Sequence, residues 1–400
     1  MNRTHRDRTL LLGFSLAAAA MLGMAGSLAA CSGSGATGAI SPLPSPGPSG
    51  PTPTPGPTPP MTLSVPAGFH VTMVNTNVPG ARFLAYAPNG DLIVSQTDNG
   101  TVVAIKPSTA VNAAPQVIAS GLPRPHGLAF HGNDLYIATW TGLSVIRSYP
   151  TGTLVQTLYS GLAENGDHNN RSLAIAPDGT VFESSGSDCN LCSEGSNLLA
   201  TVMHMNADGT NPQIYASGVR NGSGLAFDGS GQLWMVVNQR DDLPPNHENL
   251  PTEEFDKVVN GGNYGWPSCF PDSTGARQAN PDYGTGTQSC AGQQADTFPM
   301  QAHSAPLGIV FYNGSMFPSS YKGGAFVAFH GSWDRSVPTG DKVVFITFTS
   351  GQPSSIMDFV TGWLQSGSYL GRPVGLAVGA DGSLYISDDK LGYVYRITYG

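Results

Sequence analysis

A short unit recurs along this chain, and it constrains the fold more than any other feature. Its first copy reads Phe83-Leu84-Ala85-Tyr86-Ala87-Pro88-Asn89-Gly90-Asp91-Leu92-Ile93-Val94. Further copies run Gly127–Ala138, Leu173–Phe182, Gly224–Trp234 and Gly375–Ile386, with a degenerate one starting at Leu307-Gly308-Ile309-Val310-Phe311. Each sets β-favouring residues on both sides of a turn, so each reads as strand, turn, strand. A third strand often follows, as at Val102–Ile105 and Tyr393–Ile397. Six antiparallel copies at this period predict an all-β fold, a six-bladed β-propeller. The segment Thr62–Asn75 is placed to complete the last blade and close the ring. The 51 Gly and 32 Pro among 400 residues agree, because they favour turns over long helices.

The N-terminus reads differently. Arg3, Arg6 and Arg8 precede an apolar run from Leu10 to Ala30 that ends in Leu28-Ala29-Ala30-Cys31. A basic head, an apolar middle and small residues before a cut site make an export signal. The position of Cys31 resembles a bacterial lipoprotein signal, which implies that Cys31 becomes the acylated first residue. Residues 31–60, nearly all Ser, Gly, Pro, Thr and Ala, cannot bury a core and form a tether. The expected organisation is signal 1–30, tether 31–60 and propeller 61–400, exported to the cell envelope and touching membrane only through the lipid. The net charge of -9 argues against a general nucleic-acid binder.

Export also bears on the remaining cysteines, Cys189, Cys192, Cys269 and Cys290. An even number in an oxidising compartment suggests two disulfides, with three possible pairings. Local pairing, Cys189 with Cys192 and Cys269 with Cys290, is the expectation. A covalent haem site would need His where Ser193 stands, and a zinc site would need a second close Cys pair.

In a propeller the first strand of each unit lines the axis, so the residues just before it gather at one face. Relative to the reference leucines these are Arg82; Arg124 and His126; His168 and Arg171; Arg220 and Asn221; His303; and Arg372. Every blade delivers a cation or a histidine, although the protein is acidic. Asp167 is the one carboxylate of the set. Guanidinium groups around a concave site suit an anion with several carboxylates or phosphates. Asp167 and His168, in the loop before the third unit, bring a carboxylate beside an imidazole that can act as a base. The long fourth-to-fifth insertion carries Asp241, Asp242, Glu248, Glu253, Glu254 and Asp256, a run that suits a hard cation, Ca²⁺ for preference.

Four stretches carry a resemblance: Gly166-Asp167-His168, Val219-Arg220-Asn221, Val259-Asn260-Gly261-Gly262-Asn263-Tyr264-Gly265-Trp266-Pro267, and Phe329-His330-Gly331-Ser332-Trp333-Asp334-Arg335. From Met61 onward the chain resembles the soluble pyrroloquinoline-quinone (PQQ) sugar dehydrogenases, in particular the L-sorbosone dehydrogenase-like branch. The resemblance implies a six-bladed propeller with PQQ and Ca²⁺. It implies His168 as the base and Asp167 as the neighbour that orients it. Arg220, Asn221 and Arg372 match cofactor contacts, and Arg335 more loosely matches a lysine of the glucose-oxidising branch. Arg124 and His126 are cofactor-binding candidates by their axial place, without a matching contact in the family. Gln239, Arg240 and Asp241 fall where backbone carbonyls hold the metal. Asp334 departs from the branch, which usually has Asn there. The function implied is oxidation of a sugar or related hydroxyl or hydrated aldehyde, with electrons passed to an envelope acceptor. Two other readings are a Ca²⁺-dependent propeller lactonase, which needs carboxylate ligands on the axis, and a propeller that only binds a partner.

Overall fold

The computed structural model describes residues 61–163, 166–245 and 247–400. The expected signal, the tether and Cys31 lie outside the described residues. Six antiparallel sheets follow one another along the chain, each with at least four strands. The first strand of each is Ala81–Tyr86, Leu128–His131, Leu173–Ile175, Gly222–Phe227, Pro306–Phe311 and Pro373–Val378. These six neighbour one another in cyclic order, so they form the wall of a central channel. The all-β six-bladed propeller expected from the repeat is the fold observed. One 3₁₀ turn, Ser319–Tyr321, is the only helical element among the described residues.

The ring closes as the N-terminal segment suggested. Phe69–Asn75 pairs antiparallel with Tyr393–Tyr399 and becomes the outermost strand of the sixth blade. Phe69 packs edge-on against Phe317 and Phe359, with centroids 4.8 and 5.0 Å away. The fold has no single core. Its buried apolar residues fall into separate clusters, one between each pair of adjacent blades. Each blade therefore buries both faces only because it has two neighbours, which is why the unit must repeat.

The glycine before the reference leucine recurs for a packing reason. A Cβ on Gly127 would lie 2.8 Å from the Arg171 carbonyl oxygen, and one on Gly375 would lie 2.5 Å from that of Arg82. Inner strands of adjacent blades approach closest there. Serine hydroxyls stitch the seams, at Gly375 through Ser387 as well as where the glycine is missing. Ser95 Oγ accepts from Phe83 N and donates to the His126 carbonyl at 2.7 Å. Leu225 N donates to Ser172 Oγ at 2.9 Å. Gly375→Ala is expected to destabilise by about 1–3 kcal/mol through overpacking. Denaturant unfolding checks this, and an unchanged midpoint would remove the close approach from the argument.

The acidic insertion does not form the single cation site that its run of carboxylates suggested. Glu253, Glu254 and Asp256 lie on the third strand of the fourth blade, Glu253–Lys257, and are buried. Glu254 pairs with Arg277 at 2.5 Å, and Asp256 and Asp296 sit in the same cluster. Burial is the main force holding both Asp256 and Asp296 well above the usual carboxylate range. The strand alternation turns Glu254 and Asp256 to one face and Glu253, which accepts from Gln239 N and Ala305 N on the side of Asp241 and His303, to the other, so the run is not one cation site. Both disulfides form as the local pairing predicts, Cys189–Cys192 and Cys269–Cys290.

Candidate active site

Antiparallel pairing brings two kinds of segment to one face of the ring: residues before the first strand of each blade and residues after the second. The axial leucines Leu84, Leu128, Leu173, Leu225 and Leu376 line a small cavity of about 90 Å³ along the channel. A larger hollow of about 520 Å³ lies between blades three and four at the opposite face, lined by Phe182, His204, Tyr215 and Phe227. It contains none of the candidate residues, which gather at the loop face.

His168 is half-buried, and its ring is held by the loop that leaves the second strand of its own blade. His168 Nδ1 lies 2.8 Å from Ser187 Oγ and 3.2 Å from the Ser187 carbonyl oxygen. The Ser187 hydroxyl donates onward to the Cys189 carbonyl at 3.1 Å. Two acceptors therefore face Nδ1, which assigns the proton there and leaves a lone pair on Nε2. Burial, helped by the charge of Arg220, pushes the imidazole down to about 3, so it is neutral and can accept a proton. The sequence reading gave the orienting role to Asp167. Asp167 is exposed and makes no hydrogen bond to His168 among the described residues; Ser187 holds the ring instead.

Arg220 is buried, and its guanidinium is held by neutral oxygens. It donates to the carbonyls of Asn190, Asn238 and Gln239 at 3.3, 3.1 and 2.7 Å and to Asn190 Oδ1 at 2.9 Å. The indole of Trp266 lies 5.4 Å from its centre. That contact explains the Gly-Gly-Asn-Tyr-Gly-Trp-Pro run. Gly262–Asn263 adds a parallel fifth strand to blade three, and Trp266 Nε1 donates to Glu194 at 2.6 Å, which aims the indole. The Cys189–Cys192 bond closes the loop that presents Asn190. Beside Arg220, Asn221 donates through Nδ2 to Asn238 at 3.4 Å, while its buried Oδ1 has no partner.

Arg372 is built in the same manner. It donates to the carbonyls of His330 and Gly331 at 2.9 and 3.1 Å, with the Tyr369 ring 5.2 Å away. Neither Arg220 nor Arg372 has a carboxylate partner among the described residues.

Two of the other axial cations are paired with carboxylates. Arg82 pairs with Asp389 at 2.5 Å, and Arg124 with Asp98 at 2.9 Å. Arg171 is buried and donates to carbonyls of Ala163, His168 and Asn170, pinning the loop that carries His168. His126 is fully buried; burial and the charge of Arg82 push it well below its ordinary range, so it is no cation. Its Nδ1 faces the Arg171 carbonyl at 3.2 Å, a structural link between blades. Arg335 donates weakly to the Ala302 carbonyl at 3.4 Å and approaches Glu248 at 4.0 Å. The ring of cations is thus narrower than the repeat suggested, and Asp167 is not its one carboxylate. Asp389, just past the second strand of blade six, also accepts from His330 at 3.0 Å. Burial opposes its ionisation, but His330 and Arg82 outweigh that and hold Asp389 below the usual range.

Of the three residues expected at the metal, Gln239 and Asp241 have their carbonyls engaged, by Arg220 and by Asn190. The Arg240 guanidinium turns away to Asp282, at 2.9 Å through Nη2. Nearby, Asp241, His303 and Asp334 each place one ligand atom within 4.8 Å of the others. His303 Nε2 faces the His247 carbonyl and Nδ1 faces Asp241 at 3.4 Å. Burial opposes protonation of His303, but Asp241 and Glu253 overcome it and raise its affinity for the proton. The two carboxylates are therefore the donors suited to a hard cation.

The family scan matches residues 63–400 to a model described as TrAA12-like. A curated relative, the pyrroloquinoline quinone-dependent sugar dehydrogenase of Hypocrea jecorina, is 27% identical over 372 residues, covering 79% of this chain and 80% of that protein. An uncharacterized protein of Borreliella burgdorferi is 27% identical, covering 84% and 91%. Among solved structures, the PQQ domain of pyranose dehydrogenase from Coprinopsis cinerea superposes with a TM-score of 0.73 at 22% identity, covering 86% of this chain and 98% of that one. The calcium structure of the Trichoderma reesei family AA12 enzyme gives a TM-score of 0.71 at 23% identity, covering 84% and 97%. At these identities the superpositions show the fold. The family match runs the length of the propeller, and the chain belongs to the TrAA12-like family, among the soluble PQQ-dependent sugar dehydrogenases.

Proposed function

We propose that this chain is a quinoprotein dehydrogenase that oxidises a sugar hydroxyl or hydrated aldehyde with PQQ and Ca²⁺. One observation carries the reading: among the described residues, two guanidiniums without carboxylate partners share a face with a neutral histidine whose Nε2 has no hydrogen-bond partner. The residues fit the cofactor on their own chemistry. PQQ is a rigid polycarboxylate, and Arg220 and Arg372 are buried or half-buried cations that lack a counter-ion. The orphaned Oδ1 of Asn221 offers a further polar contact. Asp241 and Asp334 suit Ca²⁺, with the Gln239–Asp241 carbonyls as the alternative set.

PQQ, when bound, supplies the two-electron acceptor for the oxidation. The rest is done by the chain. Ser187 fixes His168 so that Nε2 takes the proton of the substrate hydroxyl as the carbon–hydrogen bond is lost as hydride. Arg171 pins the backbone of that loop. Arg220 and Arg372 hold the acceptor's anionic groups, and their carbonyl partners keep both side chains placed before anything binds. The names of the relatives support a sugar as substrate; the chemistry of the site does not distinguish sorbosone-like from aldose or pyranose substrates. The same proposal includes export, a lipid anchor through Cys31 and an electron acceptor in the envelope; no helix among the described residues is long and apolar enough to cross a membrane.

Reconstituting the purified protein with PQQ and Ca²⁺ and assaying a sugar panel with an artificial dye tests the function. Oxidation of no sugar at saturating PQQ would overturn it. Chelation should abolish the activity and lower the melting temperature, because a ion bound only to the folded state stabilises it, and Ca²⁺ should restore both. Active protein that contains no divalent ion by metal analysis would remove the metal from the proposal.

A further inference from the structure

The segment 331–340 is a loop closed at its neck. Ser332 N donates to the Thr339 carbonyl at 2.8 Å, and Thr339 N donates back to Ser332 Oγ at 2.9 Å. Its base is tied down by Gly331 N to the Ser304 carbonyl at 3.0 Å. Its body is tied to the fourth-to-fifth insertion. Asp242 N donates to Asp334 Oδ2 at 2.8 Å, and Ser336 N donates to Glu248 Oε1 at 3.0 Å. A loop closed and anchored at several points holds its backbone in place.

This loop leaves two large apolar side chains in water. Trp333 is 73% exposed, the most exposed large apolar side chain among the described residues, and Val337 is 68% exposed. Single exposed apolar residues are ordinary on a surface. An exposed indole on a loop tied to the elements of a candidate site is not. The His330 and Gly331 carbonyls at the loop's base accept from Arg372. The residue after Trp333, Asp334, reaches Asp241 and His303, and Asp241 N donates to the same Asn190 Oδ1 that holds Arg220. The loop that carries Trp333 therefore runs from a base held by Arg372 to a carboxylate beside the Asp241–Asn190 link to Arg220.

From this placement we infer that Trp333 is a stacking platform for the ring of the sugar substrate, with Val337 extending its apolar surface. The inference rests on the function proposed above. A sugar ring has an apolar face of C–H groups and an edge of hydroxyls. An indole accepts the face, and a neighbouring carboxylate such as Asp334 accepts hydroxyls from the edge. The loop's ties mean that the backbone carrying Trp333 is already placed when substrate arrives, so less entropy is lost than with a free loop.

The test uses full-length protein reconstituted with PQQ and Ca²⁺, a sugar that the wild type oxidises, and an artificial dye. Trp333→Ala should raise KM about tenfold, the size of one lost stacking contact, with kcat nearly unchanged. Trp333→Phe should restore most of the affinity. PQQ titration and melting temperature should match the wild type in both. An unchanged KM in Trp333→Ala overturns the inference while leaving the proposed function standing. A fall in PQQ affinity or melting temperature overturns it in favour of a structural role. A defect seen with a protein acceptor but not with the dye overturns it in favour of a docking surface. If the wild type oxidises no sugar, the function fails first, and sugar titrated into apoprotein still tests the platform through tryptophan fluorescence. A response that disappears in Trp333→Phe supports it, and a response that persists in that variant, or none in the wild type, overturns it.

Discussion

His168→Gln is expected to lower kcat by at least about a hundredfold, the small end of what a general base contributes, while PQQ still binds. Glutamine keeps a donor toward Ser187 and fills similar space, so the loop and Arg220 should stay in place. What it lacks is the basic Nε2. A variant with full activity would remove His168 from the mechanism. Two companions separate the structure from the sequence reading. Ser187→Ala removes the 2.8 Å contact that orients the ring, and should lower kcat more than Asp167→Asn does, because Asp167 makes no hydrogen bond to the ring among the described residues. The reverse order would return the orienting role to Asp167. The pH dependence follows from the same geometry. His168 is held down to about 3 by burial first and by Arg220 second. It must be unprotonated to act, so activity should not fall as pH drops through about 6.5, the ordinary histidine range. A loss of kcat in that range that vanishes in the His168 variant would contradict the environment described.

Much of this was legible before the structure, and the part that was not has a clear cause. The fold followed from one unit, because a strand, turn, strand pattern repeated six times has few ways to bury its faces. Positions upstream of each leucine were found by pseudo-symmetry, and they do reach one face. Ser187, Asn190, Asn238 and Asp389 were missed, although they do as much to build the site. All lie just past the second strand of a blade, and antiparallel pairing returns that end to the same face. Counting downstream as well as upstream would have found Asp389 and shown that the axis is not purely cationic. Which cations stay free is a different matter. Arg82 and Arg220 look alike in sequence, but Asp389 reaches one and only carbonyls reach the other. The acidic insertion misled because spacing along a chain says nothing about which strand face each carboxylate takes.

Arg220→Ala and Arg372→Ala should each weaken PQQ binding by about 30-fold to several thousand-fold, or about 2–5 kcal/mol, measured by titrating apoprotein and following activity or absorbance. Removing either leaves a carboxylate of the ligand buried and unpaired, in addition to losing a bond. Lysine is a poor substitute, because it lacks the planar fork that meets a carboxylate with two donors. Arg82→Ala and Arg124→Ala should have smaller effects on binding, since Asp389 and Asp98 already hold those charges. Arg147→Ala is the control, as Arg147 pairs with Asp134 on the second blade, well away from the axial residues. Arg220 also braces the carbonyls of Asn190, Asn238 and Gln239, so part of its effect could come through the loop. Melting temperatures and the Arg372 variant separate the two, because Arg372 braces only the base of the 331–340 loop. The ordering is what matters. Loss at Arg220 and Arg372 with retention at Arg82, Arg124 and Arg147 places the anion between the unpaired arginines. Equal affinity across all five variants would mean that the axial face is not the cofactor site, and the propeller would have to be read again as a lactonase or a binding module.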